Sequence, residues 1–329
     1  MSSTTRDWAL DEDFARAADP FRRELLAHCY RMLGSAHEAE DLVQEIYLLA
    51  WRGYPDFEGR SSLRTWLHRI ATRACLKALE RRARRPMPSG LGGPSDAPES
   101  PLAPRQAEIP WLEPIPDALF GATPADPAAT VEARHTTRLA FAAALQHLSP
   151  RQRAVLLLRD VLAWRAAEVA ELLGTTTASV NSSLQRARAR LTRADPVEDQ
   201  VVQPTDPRQR ALVDRYATAF ENADMPGLVR LLTEDAVLEM PPIPTWFAGR
   251  ENVERFLSTR LRTPGAMRVV PTGANGQPAF GVYMSDATGE HRAHALMVLT
   301  VTAAGIRRIT LFHDPALFPV FRLPDRLAR

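Results

Sequence analysis

Ala166-Ala-Glu-Val-Ala-Glu-Leu-Leu-Gly174, the threonines Thr175–Thr177 and Ser179-Val-Asn-Ser-Ser-Leu-Gln-Arg-Ala-Arg-Ala-Arg-Leu191 decide how this chain is read. The first segment reads as a short helix stopped by glycine, because Gly174 can enter the left-handed region that ends a helix and turns the chain. A threonine then supplies an N-cap for the next helix. In that helix Val180, Leu184, Ala187 and Leu191 recur at helical spacing, so one stripe packs inward. Ala170, four residues before the glycine, is small enough to let two helices cross closely. The outward face carries Ser179, Asn181, Ser182, Gln185, Arg186, Arg188 and Arg190. Its first half is small, polar and amide-bearing, which suits base edges in a major groove; its second half is arginine-rich, which suits phosphates. An arginine-rich solvated helix of a bundle is the competing reading. Upstream, Ser149 caps and Pro150 opens a helix whose apolar stripe is Val155, Leu158 and Leu162.

Two further helical stretches precede this one. Ala39-Glu-Asp-Leu-Val-Gln-Glu-Ile-Tyr-Leu-Leu-Ala-Trp-Arg52 places Leu42, Ile46 and Leu49 on one face, and Asp41, Gln44, Glu45 and Leu48 on the opposite one. In Phe57-Glu-Gly-Arg-Ser-Ser-Leu-Arg-Thr-Trp-Leu-His-Arg-Ile-Ala-Thr-Arg73, a loop with Gly59, Ser61 and Ser62 precedes a basic helical stretch. Arg60, Arg64, Arg69 and Arg73 can follow phosphates there, and the basic run Arg81–Arg85 extends the series. Leu63, Trp66, Leu67 and Ile70 lie at core spacing, so Trp66 reads as packed inside rather than as a stacking platform. His68 reads as a surface or phosphate-near residue rather than a catalytic one.

Charge is distributed unevenly, although the whole chain carries only +2. Residues 7–58 hold 5 Arg against 12 Asp/Glu, residues 60–85 hold 9 Arg/Lys against Glu80 alone, and residues 149–193 hold 8 Arg against 3 acids. Blocks of alternating sign imply separate charged surfaces, the basic ones suited to nucleic acid. Two isolated thiols, Cys29 and Cys75, give neither a disulfide framework nor a zinc site. A reducing cytoplasm fits such thiols, and a polar, acidic N-terminus with no apolar run of spanning length points to a soluble intracellular protein; no metal or cofactor is expected.

Residues 86–130 contain 11 prolines with Gly90, Gly92 and Gly93, which precludes regular helix and reads as a linker. Within it Trp111–Leu119 is apolar enough to dock on another surface, a plain extended linker being the competing reading. Residues 208–329 differ in kind: helices over 208–223, 226–233 and 250–262, and strands over 236–240, 267–272, 279–285, 294–302 and 305–313. Such an order gives an α+β domain. Tyr216, His313 and Asp314 are its candidate acid/base groups, and Met240 and Trp246 are candidate pocket walls.

Taken together, Leu148-Ser-Pro-Arg-Gln-Arg-Ala-Val-Leu-Leu-Leu158 and the 179–191 helix resemble region 4 of extracytoplasmic-function (ECF) sigma factors. The 39–52 stretch is similar to region 2.2 of the sigma-70 family, and 57–73 to regions 2.3 and 2.4. The resemblance implies two all-α sigma domains, 12–85 (region 2) and 131–193 (region 4 helix-turn-helix), joined by the 86–130 linker. Region 4 would read the −35 element as duplex and rest on the polymerase β flap. Asp41, Gln44 and Glu45 would meet a β′ coiled coil, and Arg60, Ser61, Ser62, Arg64, Arg69 and Arg73 would hold the melted −10 strand. Tyr216-Ala-Thr-Ala-Phe-Glu-Asn-Ala-Asp224, Leu231-Leu-Thr-Glu-Asp-Ala-Val-Leu238, Trp246-Phe-Ala-Gly249 and Phe312-His-Asp314 look like a SnoaL-like/NTF2-like domain spanning 206–329. The multidomain chain is therefore expected to serve core RNA polymerase and promoter DNA, with the third domain regulatory or sensing a small ligand. An enzyme with a DNA-binding appendage and a ligand-sensing repressor or activator are the alternatives from other classes.

Overall fold

The computed structural model describes residues 13–80, 84–120, 138–194 and 207–327; Arg81 and Arg82, the 121–130 part of the linker and residues 131–137 lie outside them. Two compact units divide the chain: Met1–Arg84 with Ala118–Asp195, and Arg85–Asp117 with Pro196–Arg329.

The first unit is helical. Its elements are α1 (Arg22–Leu33), α2 (Ala36–Gly53), α3 (Leu63–Leu79), α4 (Leu139–Leu145), α5 (Pro150–Leu156, continuing as a π-turn through Val161), α6 (Ala166–Leu173) and α7 (Thr177–Ala194). Local chemistry marks the boundaries. Gly34 ends α1 in the left-handed region at φ 76°, and Ser35 at once caps α2 by accepting from Glu38 N. Ser62 caps α3, and Ser149 forms a reciprocal capping box with Gln152 at α5. Leu25, Met32, Leu33, Ile46 and Leu67 are fully buried, with both free cysteines among the buried residues. Arg153 on α5 is also buried; it donates to Leu145 O at 3.0 Å and to Met32 O at the end of α1. Burial holds its guanidinium down at about 10.

In the second unit, helices α8 (Pro207–Glu221), α9 (Met225–Val229) and α10 (Arg250–Arg260) accompany a seven-stranded sheet. Its strands are β1 (Leu232–Met240), β2 (Ile243–Ala248), β3 (Met267–Ala274), β4 (Gln277–Ser285), β5 (His291–Thr302), β6 (Gly305–Phe312) and the short β7 (Arg326–Leu327). They run in the order β2-β1-β6-β5-β4-β3, with β7 on β5. The β1–β6 pair is parallel and the rest antiparallel. Sequence alone gives no strand at 243–248, because Pro242 and Pro244 argue against one. The sheet accommodates them because β2 is its edge, where an absent N–H costs no ladder bond.

The proline-rich segment as far as Asp117 is part of this second unit. Contrary to the expectation of no regular helix, it holds a 3-10 turn at Pro88–Gly90 and the start of a short helix at Asp117–Phe120, and several of its other backbone groups find partners elsewhere in the unit. Ser95 N donates to Trp246 O (2.8 Å), Gln106 N to Pro242 O (2.9 Å) and Ala103 N to Thr245 Oγ1 (3.1 Å). Asn275 and Ile115 exchange bonds in both directions, Ile115 N to Asn275 Oδ1 and Asn275 N to Ile115 O. Asn275 and Gly276, at φ 56° and 69°, form the tight turn between β3 and β4 that presents this partner. Leu112 and Ile115 are fully buried and Trp111 is 8 % exposed. The Trp-Leu-Glu-Pro-Ile-Pro stretch thus docks on the α+β domain of its own chain.

Candidate nucleic-acid interface

The helix-turn-helix forms as the sequence requires. Gly174 sits in the left-handed region at φ 59°, Thr176 Oγ1 accepts from Ser179 N at 3.2 Å, and Val180, Leu184 and Ala187 are buried. Leu191, the last member of the stripe, is only half-buried. All seven outward residues of α7 are exposed. Their second half is already engaged. Arg188 makes a bidentate pair with Asp160 at 2.9 and 2.6 Å, Arg186 donates to Ser182 Oγ and Ser183 Oγ, and Arg190 donates to His147 O. Ser179, Asn181 and Gln185 remain presented to solvent on the first turns.

On α3 the arginines are similarly engaged. Arg64 donates through Nε to both Glu24 oxygens at 2.9 Å, and Arg69 makes a bidentate contact with Glu171 of α6 at 3.0 and 3.1 Å. Arg60 pairs with Glu58 at the loop, Ser61 is half-buried, and Ser62 is spent as the α3 cap. Arg73 is exposed. Trp66 is half-buried against Phe57, its ring 5.0 Å from that ring.

Two expectations need correction here. His68 is fully buried rather than near phosphate: its Nε2 lies 3.3 Å from Glu24 Oε1, and its ring meets His28 edge-on at 5.3 Å. His28 Nε2 in turn hydrogen-bonds Thr72 Oγ1 at 3.1 Å. Burial would push the Glu24 carboxyl up, but the adjoining His68 and Arg64 outweigh it and hold it at about 2. The partner of His68 is 44 residues away, so no local pattern could have found it. Leu49, placed on the buried face by spacing, is 43 % exposed.

Asp41, Gln44 and Glu45 are exposed on α2, beside the exposed apolar residues Leu48 (55 %) and Trp51 (43 %). Asp41 and Glu45 open onto a groove of about 690 Å³ between α2 and α3, with Leu42 and Leu49 on their own side and Ile70 and Arg73 across it.

In the second unit the five candidate residues have separate tasks. Tyr216 and Met240 belong to the hydrophobic core with Phe247, Phe256 and Met297. The Tyr216 hydroxyl donates to Met297 Sδ, and burial pushes this phenol up. Trp246 donates from its ring to Gly92 O of the linker at 2.9 Å. His313 lies against His294, ring centroids 4.9 Å apart, and its backbone carbonyl accepts from Arg105. Burial, His294 and Arg105 push His313 down to about 4. Asp314 is exposed and accepts from Ala316 N, closing a turn at the strand end. No hydrogen bond among the described residues joins any two of the five. Sequence reasoning missed Glu239, which is fully buried yet accepts from Ser89 N of the linker at 2.9 Å and pairs with Arg308. No group of three His, Cys, Asp or Glu among the described residues could hold a metal, and no described helix is long and apolar enough to cross a membrane.

A helical domain with an acidic, partly apolar face and a second with a basic helix-turn-helix define a promoter-recognition factor of the sigma-70 type, here with an added α+β domain. The comparisons agree segment by segment. Residues 18–85 match Sigma-70 region 2, residues 138–191 match Sigma-70 region 4, and residues 213–311 match the SnoaL-like domain. The chain is 52 % identical over 318 residues to the ECF RNA polymerase sigma factor SigG of Mycobacterium tuberculosis, covering 96 % of this chain and 85 % of that relative. It is 30 % identical over 247 residues to SigJ of the same organism, covering 73 % of this chain and 70 % of that one. The crystal structure of the Mycobacterium tuberculosis extracytoplasmic function sigma factor SigJ superposes with a TM-score of 0.59 at 26 % identity, covering 93 % of this chain and 98 % of that one. The chain belongs to the ECF family of RNA polymerase sigma factors. Sigma factors are non-enzymatic initiation subunits that partner core RNA polymerase and promoter DNA.

Proposed function

We propose that this sigma factor works in the cytoplasm, clamping core polymerase through α2 and reading a promoter at two places. Asp41, Gln44 and Glu45 contact a β′ coiled coil, while the α5–α7 domain rests on the β flap. Ser179, Asn181, Ser182 and Gln185 of α7 meet base edges of a duplex −35 element, and Arg186, Arg188 and Arg190 meet its phosphates. The −10 strand, once opened, passes Arg60, Ser61, Ser62, Arg64 and Arg69. Arg64, Arg69 and Arg188 would then exchange carboxylate partners for phosphate. Each exchange gives up one charge-assisted contact for another.

The observation that carries this reading is the exposed face of α2, where carboxylates stand beside Leu48, Leu49 and Trp51. A regulator that only binds duplex DNA has no use for such a surface, since exposed apolar groups of this size favour a protein partner. The third domain acts as a regulator rather than an enzyme, because Tyr216 and Met240 are packed in its core and Trp246 holds the linker. By keeping 85–117, it fixes how much of the linker is left to join the two sigma domains. The test is capture of the full chain on core RNA polymerase followed by run-off transcription. Asp41→Arg with Glu45→Arg should abolish capture and transcription together; full capture by that variant would end the proposal.

A further inference from the structure

The groove between α2 and α3 has two walls of opposite charge. Glu38, Asp41 and Glu45 follow one another by three and four residues on α2, so their side chains share one edge. Arg73 and Lys77, four apart on α3, form the other edge. Between the rows lie apolar side chains, among them Leu42, Leu49 and Ile70. Asp41, Glu45, Arg73 and Lys77 form no ion pair among the described residues, whereas Arg64, Arg69 and Arg188 each hold a carboxylate in two-point contact. Arg73 lies close enough to Glu171 to act on it through space, but it makes no contact there.

We infer that Arg73 and Lys77 are the second wall of the polymerase-docking groove and not part of the DNA surface. The occupant is a helix of core polymerase with basic residues along one edge, acidic residues along the other and an apolar stripe between them. Arg73 and Lys77 face a row of three acidic residues, Glu38, Asp41 and Glu45, across the groove, so the two walls together complement a partner that carries both signs of charge rather than a uniformly anionic strand. A two-edged helix satisfies both rows while its apolar stripe covers the exposed Leu49. The arrangement also fixes polarity. Turning the incoming helix end for end exchanges its edges and opposes like charges on both walls.

This inference rests on the reading that Asp41 and Glu45 face polymerase, so the experiment separates the two. Affinity of the full chain for core RNA polymerase is measured without DNA, by fluorescence anisotropy, and promoter opening is measured separately. Arg73→Glu with Lys77→Glu is expected to weaken core binding at least about ten-fold. The milder Arg73→Gln with Lys77→Gln weakens it less and in the same direction, with the helical signal of the parent retained. Arg22→Glu with Arg23→Glu, an equal charge change on exposed residues of α1, leaves core affinity within about two-fold. Core affinity within two-fold for both Arg73/Lys77 pairs, with promoter opening lost, would return these cations to the DNA surface and overturn the inference alone. Unchanged core affinity in Asp41→Arg with Glu45→Arg would overturn the underlying reading as well.

Discussion

Leu112→Ala tests whether the linker is an integral layer of the third domain. Leu112 is fully buried, and its N–H is bonded to Pro86 O within the linker itself. Removing a buried leucine side chain costs about 2–5 kcal/mol when the cavity cannot collapse. The docked linker is held by backbone bonds from Ser89, Ser95, Ala103, Gln106 and Ile115, so these amides report on undocking directly. At 1.4 kcal/mol per factor of ten, the substitution should accelerate their hydrogen exchange roughly thirty-fold to several thousand-fold. Leu91 is 48 % exposed, so Leu91→Ala is the internal control and should stay within about 0.5 kcal/mol. Hydrogen exchange followed by mass spectrometry on the full chain resolves both. Linker amides that exchange at unprotected rates in the parent, or protection that is unchanged in Leu112→Ala, would refute the docking argument.

Glu24 gives a pH-dependent prediction. Its carboxyl is held at about 2 against an ordinary 4.5, so its contribution to stability is present above pH 4.5 and lost as pH falls towards 2. Urea midpoints should therefore separate parent from Glu24→Gln near neutrality and converge in acid; a gap independent of pH would contradict the assignment. Glu239 is fully buried, and Arg308→Met leaves its carboxylate without its cation, a loss of about 3–5 kcal/mol in thermal unfolding. Adding Glu239→Gln to that variant should recover most of the loss, and no recovery would show that packing rather than charge governs the site. Gly174→Ala strains the left-handed turn of the helix-turn-helix by about 1 kcal/mol. Equilibrium unfolding should show this, and a neutral result would mean the turn tolerates a Cβ.

Elements built from local rules were legible in the sequence. Gly174, the caps at Ser149 and in the 175–177 threonines, and the spacing of Val180, Leu184 and Ala187 locate the helix-turn-helix without any distant contact. Strands β3 to β6 were legible from alternation and turn residues. What escaped reading depended on partners far along the chain. His68 and Glu24 are 44 residues apart, Ser89 and Glu239 are 150 apart, and Ile115 and Asn275 are 160 apart. Helical spacing put Leu49 inside, yet α2 opens onto a groove at that position. The same limit applied to the arginines of α3 and α7. Their charge was visible in the sequence, but the carboxylates that hold Arg64, Arg69 and Arg188 were not.

The most direct test of the central claim is initiation itself, with purified core polymerase, the full chain and a library of promoter fragments. The account predicts specific start sites only when the chain is present, on templates that share two separated elements. It also predicts that opening the downstream element beforehand on its non-template strand makes initiation less dependent on Arg60. A chain that binds the upstream element as duplex yet yields no chain-dependent start site with core polymerase would contradict it.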